Sequence, residues 1–295
     1  MKNKIIFIIN PIAGKGKGLM IETEIQSYFN QKNVEFETFL TESIGHATEI
    51  TNQVLTKNPD IIVACGGDGT INEVAQALVG SNVALGIIPI GSGNGLAANL
   101  HIPKTTEKAF ETILNAKINK IDAGKINENY FFSNMGLGID ADVINNYAQT
   151  KTRNFLGYVT ASTKAIFSFQ PKKFNIELDN EHTLDDDFYF VFCSNSNEAG
   201  YGISFSPNAK LNDGKLDFLA VKKLNFIQQI QFSANVLGKR IEKMKQAKVL
   251  QVNSVKFNSK QTKTIAQVDG EAVIFNQKSI EVSIVPNALN VIVPN

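Results

Sequence analysis

Residues 60–73 read DIIVACGGDGTINE, and this short stretch decides the fold. Asp60 to Cys65 has the length and apolar composition of a buried strand. A glycine-rich turn follows at once, and a helical pattern begins at Thr70, where Thr70 and Glu73 have the spacing of a capping box. A strand, a glycine turn and a helix in this order predict one unit of a parallel α/β sheet.

The same alternation extends over the first 123 residues. The other predicted strands are Lys4–Ile9, Val34–Leu40 and Val83–Ile88. The predicted helices are Leu19–Gln31, Ala47–Thr56, Thr70–Val79 and Thr105–Asn115. We therefore predict an α/β domain over residues 1–123, with a parallel sheet and helices packed on its faces.

Beyond residue 123 the apolar period shifts towards two, which is typical of antiparallel strands. The candidate strands are Tyr130–Ser133, Phe188–Ser194, Lys215–Val221, Val252–Phe257, Thr264–Val268 and Ser279–Val285. Two predicted helices, Arg153–Phe169 and Phe226–Lys245, interrupt them. This pattern predicts a second, β-rich domain over residues 124–286.

Three of the predicted strands in the first domain run directly into a glycine-rich turn. These turns are NPIAGKGKG at 10–18, GGDGT at 66–70 and GSGNG at 91–95. In a parallel sheet all three leave the same carboxyl edge, where ligands of open α/β sheets bind. Exposed backbone N–H groups and helix N-termini suit a polyphosphate, and Lys15 and Lys17 add positive charge. The alternative is that each glycine group only makes a turn, and that Asp68 only favours the dipole of its helix.

Known nucleotide fingerprints do not fit these turns. GKGKG and GSGNG lack the third glycine of G-x-G-x-x-G, and no G-x-x-x-x-G-K-[ST] string occurs. These mismatches disfavour a dehydrogenase or a P-loop NTPase.

The amino-acid composition disfavours further classes of function. The formal net charge is only +1, and Arg153 and Arg240 are the only arginines, which disfavours a nucleic-acid partner. Cys65 and Cys193 lie far apart and show no metal-type spacing, so a reducing, cytoplasmic setting is expected. No apolar run reaches the roughly 18 residues of a membrane span, so any membrane contact is expected to be peripheral.

Six motifs, in this order and spacing, resemble the diacylglycerol kinase catalytic-domain family, which includes sphingosine kinases and shares its nucleotide domain design with NAD kinases and phosphofructokinases. They are NPIAGKGKG, GGDGTINEVAQAL, IPIGSGNGLAANL, GLGIDADV, SPNAKLNDGKLD and VDGE. The resemblance implies ATP bound between an N-terminal α/β domain and a C-terminal β-sandwich, with residues 287–295 folding back onto the first domain. It further implies a lipid alcohol acceptor at a membrane surface and, as is common in the family, a homodimer.

The resemblance also assigns roles to residues by position. Those implied to surround the nucleotide are Asn10, Gly14, Thr41, Gly67, Asp68, Gly69, Thr70, Glu73 and Ser92. Asp213, with the backbone carbonyls of Lys210 and Lys215, matches a structural Mg²⁺ site. Glu271 matches the proposed catalytic base, and Asp68 is predicted to be catalytic as well. Seen alone, Asn212-Asp213-Gly214 and Val268-Asp269-Gly270 are ordinary hairpin sequences.

The acceptor is left open by the sequence. GGDGTINEV has the diacylglycerol kinase form, whereas GSGNGLA is closer to the sphingosine kinase form. Asp140 and Asp142 fall near the position where sphingosine kinases keep an acid for the sphingoid amine, or they simply cap the following helix. The apolar stretch within 155–169 is either core or an acyl-chain wall.

Three hypotheses follow. The leading one is an ATP- and Mg²⁺-dependent lipid kinase acting on diacylglycerol or a related lipid, with a sphingoid base as the alternative acceptor. The second is a small-molecule kinase similar to NAD kinases. NAD kinases share the GGDGT motif with this sequence but lack its other motifs. The third is a nucleotide- or lipid-binding regulator without catalysis.

Overall fold

The computed structural model describes residues 4–91, 93–115, 117–148, 169–197 and 203–295. The chain divides into two compact units, one of residues 1–121 with 287–295 and the other of residues 122–286. The predicted helix Arg153–Phe169 lies outside the described residues except for its last residue, and Ser92 also lies outside them.

The first unit alternates strands and helices, as the sequence predicts. Its strands are β1 (Lys4–Ile9), β2 (Glu35–Leu40), β3 (Ile61–Gly66) and β4 (Ala84–Pro89), and β5 (Ile118–Ile126) begins in it. Its helices are α1 (Ala13–Gln31), α2 (His46–Leu55), α3 (Asp68–Leu78), α4 (Gly95–Asn99) and α5 (Thr106–Asn115). The sheet is parallel in the order β4-β3-β1-β2.

The core of this unit forms between the sheet and its helices. β3 is buried along its whole length, because a central parallel strand is covered on both faces. Ile21, Ile25 and Phe29, spaced four residues apart, form the buried stripe of α1. The Phe29 ring meets the Phe7 ring edge to face, with centroids 4.9 Å apart.

Residues 287–295 complete the first unit. They include the end of β15 (Ser279–Ile292), where Val291 pairs in parallel with Leu85 of β4. The backbone N–H of Gly80 donates to the carbonyl of Ala288 (2.9 Å), and Ile292 is part of the same hydrophobic core. The segment therefore supplies both hydrogen bonds and apolar surface.

The second unit is an antiparallel β-sandwich with helices. Its elements are the end of β5, β6 (Asn129–Phe131), β7 (Asn134–Gly138), α6 (Ile139–Ala148), β8 (Lys172–Leu178), β9 (His182–Ser194), β10 (Leu216–Lys222), α7 (Phe226–Leu237), β11 (Ala247–Val252), β12 (Ser254–Asn258), β13 (Thr264–Val268), β14 (Glu271–Phe275) and the first part of β15. The path runs β14-β13-β7-β9-β8-β12-β15, and β10 pairs with β9 and β11. The fold class predicted from the sequence is confirmed.

Alternation along the strands separates two apolar clusters in this unit. In β10, Phe218 and Ala220 point to one cluster, whereas Leu219 and Val221 point to the other. The second cluster also contains residues of α6 and α7. We call this second cluster the helix-covered core.

The predicted helix Phe226–Lys245 begins correctly, but its predicted end is wrong. α7 stops at Leu237, because Gly238 is followed by Lys239 in a left-handed conformation (φ 52°) that ends the helix. A short 3₁₀ turn, Ile241–Lys243, and the strand β11 occupy the rest. None of the helices in the described parts of the chain is long and apolar enough to span a membrane.

Candidate active site

Asp68 is the first residue of α3 and joins the second glycine turn to the third. Its Oδ2 accepts a hydrogen bond from the backbone N–H of Asn94 (2.8 Å), and its Oδ1 accepts one from that of Gly95 (2.7 Å). Burial raises the pKa of this carboxyl, and the backbone hydrogen bonds oppose the rise. Asp68 therefore holds the start of α4 in place, besides meeting the N-terminus of its own helix.

The second and third turns pack so closely that only glycine fits between them. A Cβ on Gly91 would lie 2.6 Å from the Cα of Gly67. A Cβ on Gly93 would lie 2.7 Å from Oδ2 of Asp68. The requirement here is close approach rather than positive φ, and it brings the two backbones together at the carboxyl edge of β3 and β4.

The first turn bends left-handed before α1 proper begins. Gly14, Lys15 and Gly16 have φ values of 60°, 62° and 90°, so the regular helix starts after them. A Cβ on Gly14 would lie 2.5 Å from Cγ2 of Ile90, at the start of the third turn. The conformation places this turn against the other two.

Asn10 and Thr70 connect the first turn to the second. Nδ2 of Asn10 donates to Oγ1 of Thr70 (3.1 Å), and Oδ1 of Asn10 accepts from the N–H of Ile12 (3.1 Å). The three turns thus form one assembly with shared contacts, all within the first unit. Backbone N–H groups and helix N-termini gathered at one edge are the features that bind phosphate groups.

The predicted capping box of Thr70 and Glu73 is wrong. α3 begins at Asp68 with Gly67 as its N-cap, so Thr70 already lies within the helix. The Glu73 carboxylate accepts instead from the N–H groups of Gly45 (2.9 Å) and Ala47 (3.0 Å) at the start of α2. Gly45, the N-cap of α2, has no side chain to do this, so Glu73 caps a neighbouring helix rather than its own.

The remaining nucleotide candidates lie at the same edge. Thr41 follows β2, is buried, and donates its backbone N–H to the carbonyl of Ile9 (2.9 Å) at the end of β1. Gly69 lies in the first turn of α3. The structure therefore brings Asn10, Gly14, Gly67, Asp68 and Thr70 together, with Thr41 and Glu73 one contact further out.

In the second unit, Glu271 is the first residue of β14, directly after a tight turn. Val268 pairs with Glu271 across a two-residue loop, and both loop residues, Asp269 and Gly270, have positive φ. This is the Asp-Gly hairpin expected from the sequence. Its turn is fixed because the Asp269 carboxylate accepts from the N–H groups of Phe132 (2.8 Å), Ser133 (2.8 Å) and Asn134 (3.0 Å). Glu271 itself is exposed on this rigid support.

Asp213 lies in the connection before β10, and the hairpin interpretation of Asn212–Gly214 is wrong. Oδ1 of Asp213 accepts from the N–H of Lys215 (3.1 Å), and the N–H of Gly214 donates to Oδ2 of the buried Asp122 (2.7 Å). The segment is the last part of a long connection between the antiparallel neighbours β9 and β10, so it is not a tight turn between two strands. Two carboxylates, Asp122 and Asp213, thus fix its shape.

A cation would suit the surroundings of Asp213. Burial, and then the charge of Asp213, raise the pKa of Asp217 to about 6, whereas a hydrogen bond from Gln251 lowers it. Oδ2 of Asp217 is buried and has no hydrogen-bond partner among the described residues. Hard oxygen donors with an unneutralised carboxylate fit Mg²⁺. Within the described ranges no group of three or more His, Cys, Asp or Glu side chains could hold a metal, so backbone carbonyls are needed as well.

Asp140 and Asp142 both lie in the first turn of α6, but in different surroundings. Asp142 is half-buried, with its Oδ1 3.5 Å from Nζ of Lys172. Asp140 is buried against Gly136, and its Oδ2 has no hydrogen-bond partner in the part of the chain that the structure describes. Burial raises the pKa of Asp140 to about 7.

Sequence reasoning missed Asn94, Asp122 and Asp217 as parts of these sites. Asn94 contributes its backbone N–H group, and a backbone contact of this kind cannot be predicted from the residue type. Asp217 did give a signal, since it is a lone carboxylate in the apolar run LDFLAV of β10, and such residues are rarely buried without a role.

Two family models cover most of the chain. Residues 4–126 match the diacylglycerol kinase catalytic domain, and residues 133–293 match the YegS C-terminal NAD kinase beta sandwich-like domain. The chain belongs to the diacylglycerol kinase family. The family and the kinase catalytic domain predicted from the sequence are thereby confirmed.

Curated members of the diacylglycerol kinase family are similar along nearly the whole chain. The diacylglycerol kinase of Bacillus subtilis (strain 168) is 29% identical over 272 residues, which cover 90% of this chain and 88% of that protein. The diacylglycerol kinase of Staphylococcus aureus (strain MRSA252) is 27% identical over 277 residues, covering 92% and 87%.

Solved structures agree on the fold. A crystal structure of a diacylglycerol kinase from Bacillus anthracis str. Sterne matches with a TM-score of 0.77 at 21% identity, covering 99% of this chain and 97% of that one. Yeast NADH kinase complexed with NADH matches with a TM-score of 0.55 at 10% identity, covering 100% and 84%. At these sequence identities the two structures support the fold assignment alone.

Proposed function

We propose that this protein is a lipid kinase that transfers the γ-phosphoryl group of ATP to a hydroxyl group of diacylglycerol. The observation that carries the proposal is the assembly of three glycine turns, with Asp68 at its centre, in a chain of the diacylglycerol kinase family. Phosphoryl transfer depends mainly on positioning and on neutralising charge, and a rigid group of backbone N–H donors supplies the first of these.

In this proposal the first unit binds ATP. Asn10, Gly14, Thr41, Gly67, Gly69 and Thr70 surround the phosphates, together with Ser92, while Glu73 supports the neighbouring start of α2. Asp68 orients the third turn through its two backbone hydrogen bonds. It therefore acts on the nucleotide chiefly by fixing the N–H groups that face it.

Mg²⁺ has a structural place in the second unit under this proposal. Asp213 and the carbonyls of Lys210 and Lys215 would hold it, with Asp217 close by. The ion would supply positive charge that stabilises the loop before β10.

Glu271 is the proposed general base. It removes the proton from the acceptor hydroxyl as the new O–P bond forms, while the bond to the ADP leaving group breaks. This role for Glu271 is supported by its exposed position on a hairpin. The turn of that hairpin is fixed by three hydrogen bonds that the Asp269 carboxylate accepts. A sphingoid base is the second candidate acceptor, because Asp140 has a buried oxygen, Oδ2, without a hydrogen-bond partner among the described residues.

The test is transfer of label from γ-labelled ATP, with Mg²⁺, to diacylglycerol, monoacylglycerol, ceramide, sphingosine and NAD. Label should appear in diacylglycerol, and Glu271→Gln should lower kcat by roughly 10²- to 10⁴-fold because the base is lost. Glu128→Gln changes an exposed glutamate in another hairpin turn of the same unit and serves as the matched control.

Label in NAD alone would refute the lipid acceptor, and label in sphingosine alone would replace it with a sphingoid base. Equal rates for Glu271→Gln and Glu128→Gln would remove Glu271 as the base while leaving the acceptor assignment intact.

A further inference from the structure

α7 has two apolar faces, one packed into the core and one largely exposed. Phe232 and Val236 point into the helix-covered core, where the Phe232 ring lies 5.7 Å from that of Tyr189 and 5.6 Å from that of Phe190. The opposite side carries large side chains that are mostly exposed: Phe226 (59%), Ile227 (67%), Ile230 (57%) and Leu237 (79%). We call these four residues the outer face of α7.

The outer face is one continuous stripe. At 3.6 residues per turn, Ile230 lies one turn after Phe226 and Ile227, and Leu237 lies two turns further on the same side. Exposed apolar residues gathered in one place mark an interaction site, whereas scattered ones need no explanation.

The helix is held firmly, so the stripe is presented in a fixed orientation. Asn225 and Gln228 form a capping box, in which the N–H of Gln228 donates to Oδ1 of Asn225 (3.0 Å) and the N–H of Asn225 donates to Oε1 of Gln228 (2.9 Å). The sequence of α7, FIQQIQFSANVL, contains no charged residue. Insertion of its outer face into an apolar phase would therefore bury no charge.

Positive charge flanks the stripe. Residues 239–248, directly after α7, contain Lys239, Arg240, Lys243, Lys245 and Lys248 against a single acid, Glu242, and all six are exposed. Lys222 and Lys223 precede the helix, and Nζ of Lys222 pairs with Oδ2 of Asp186 (2.6 Å). An apolar helix face edged by lysines is the arrangement by which interfacial helices bind membranes with anionic headgroups.

We propose that the outer face of α7 docks onto an anionic lipid bilayer, with the basic segment 239–248 contacting the headgroups. The sequence suggested a lipid contact only within 155–169, as the alternative to core packing, so this assignment is a different one. The choice of a bilayer over a protein partner rests in part on the proposed lipid acceptor. The packing of the second unit also supports a bilayer. The helix α6, which carries Asp140, packs on the same helix-covered core as α7 through Ile139 and Val143.

The test uses the full chain and sedimentation with vesicles of phosphatidylcholine, with or without phosphatidylglycerol. The variant Ile227→Gln/Ile230→Gln/Leu237→Gln should bind anionic vesicles at least about tenfold more weakly, because three large aliphatic side chains no longer enter the bilayer. Leu19→Gln, which changes an exposed leucine on α1 (56%), should bind as the wild type does.

The charge contribution is tested separately. Lys239→Gln/Lys243→Gln/Lys245→Gln should weaken binding to vesicles that contain phosphatidylglycerol, and added salt should reduce the difference from the wild type. Thermal unfolding of each variant checks that the second unit is intact.

Wild-type binding by the α7 variant would overturn the proposal. So would an unchanged vesicle affinity accompanied by a change from dimer to monomer in sedimentation velocity, which would make the outer face a contact between copies. The α7 variant should keep its kinase activity on a short-chain diacylglycerol dispersed in detergent. If no kinase activity is found in any form but vesicle binding still depends on α7, the docking surface stands and the proposed function falls.

Discussion

The starts of α3 and α6 are alike in sequence but differ in how they treat a buried carboxyl group. In both, an aspartate follows glycines at the end of a strand and lies in the first turn of a helix. Each carboxylate oxygen of Asp68 accepts a hydrogen bond from a backbone N–H group. Oδ2 of Asp140 has no hydrogen-bond partner among the described residues. Burial raises the pKa of both groups, and only that of Asp68 is opposed by backbone hydrogen bonds.

The difference separates a carboxylate whose two oxygens accept backbone hydrogen bonds from one with a buried oxygen that has no partner among the described residues. The oxygens of Asp68 are occupied by the protein itself, so its charge organises the glycine turns. Oδ2 of Asp140 is buried without a hydrogen-bond partner among the described residues, and burial raises the pKa of this group. A buried acid with a raised pKa is a candidate for contact with a ligand.

The largest effect is expected at Asp68. Asp68→Ala leaves the half-buried N–H groups of Asn94 and Gly95 without their acceptor, which should cost roughly 3 to 5 kcal/mol of unfolding free energy. Urea unfolding measures this, and kinase activity should fall with it. Asp68→Asn should lie between the wild type and Asp68→Ala, since one amide oxygen can still accept. Wild-type stability in Asp68→Ala would mean that the turns hold their shape without this link.

The second prediction concerns pH and Asp140. Its pKa is about 7 in the folded protein and about 3.9 in an unfolded chain. Between these values the folded state binds more protons, so the wild type loses stability as pH rises from about 4 to 7, by roughly 2 to 4 kcal/mol from this group. Asp140→Asn should remove that dependence and be the more stable protein at pH 8. Parallel stability curves for the two proteins between pH 4 and 8 would show that Asp140 ionises normally.

The smallest effect comes from the glycine that packs against each carboxyl. A Cβ at Gly93 would lie 2.7 Å from Oδ2 of Asp68, and a Cβ at Gly136 would meet Oδ2 of Asp140. Gly93→Ala should cost about 1 to 3 kcal/mol because Asp68 is fixed by two hydrogen bonds. Gly136→Ala should cost no less, because the site is buried and the Cβ would also lie 3.2 Å from Cδ2 of Phe192. Urea unfolding of both variants measures the two costs, and a much smaller cost at Gly136 would mean that the Asp140 carboxyl can turn aside.

Much of the first unit could be predicted because its signals are local. The apolar runs of β1 and β3 and the glycines that follow them announce a parallel sheet with turns at one edge. In the second unit the strand β8 was missed although Phe174, Ile176 and Leu178 alternate correctly. The end of α7 was missed because a left-handed lysine, Lys239, is not favoured by its residue type.

The sequence proposed residues for the candidate site but could not give their contacts. Glu73 caps α2 rather than its own helix, through Gly45 and Ala47, which lie 28 and 26 residues away. The link from Asp68 to Asn94 and Gly95 is likewise tertiary. Local spacing contains no information about such partners, so a capping box was a reasonable but wrong inference.

The return of residues 287–295 to the first unit has a consequence for how the protein is made. The strand that pairs Val291 with Leu85 leaves the ribosome only after the whole of the second unit has been synthesised. Domains usually fold in the order in which they emerge. Here the unit that emerges first is completed, and the edge of β4 covered, only by a segment that emerges after the second unit.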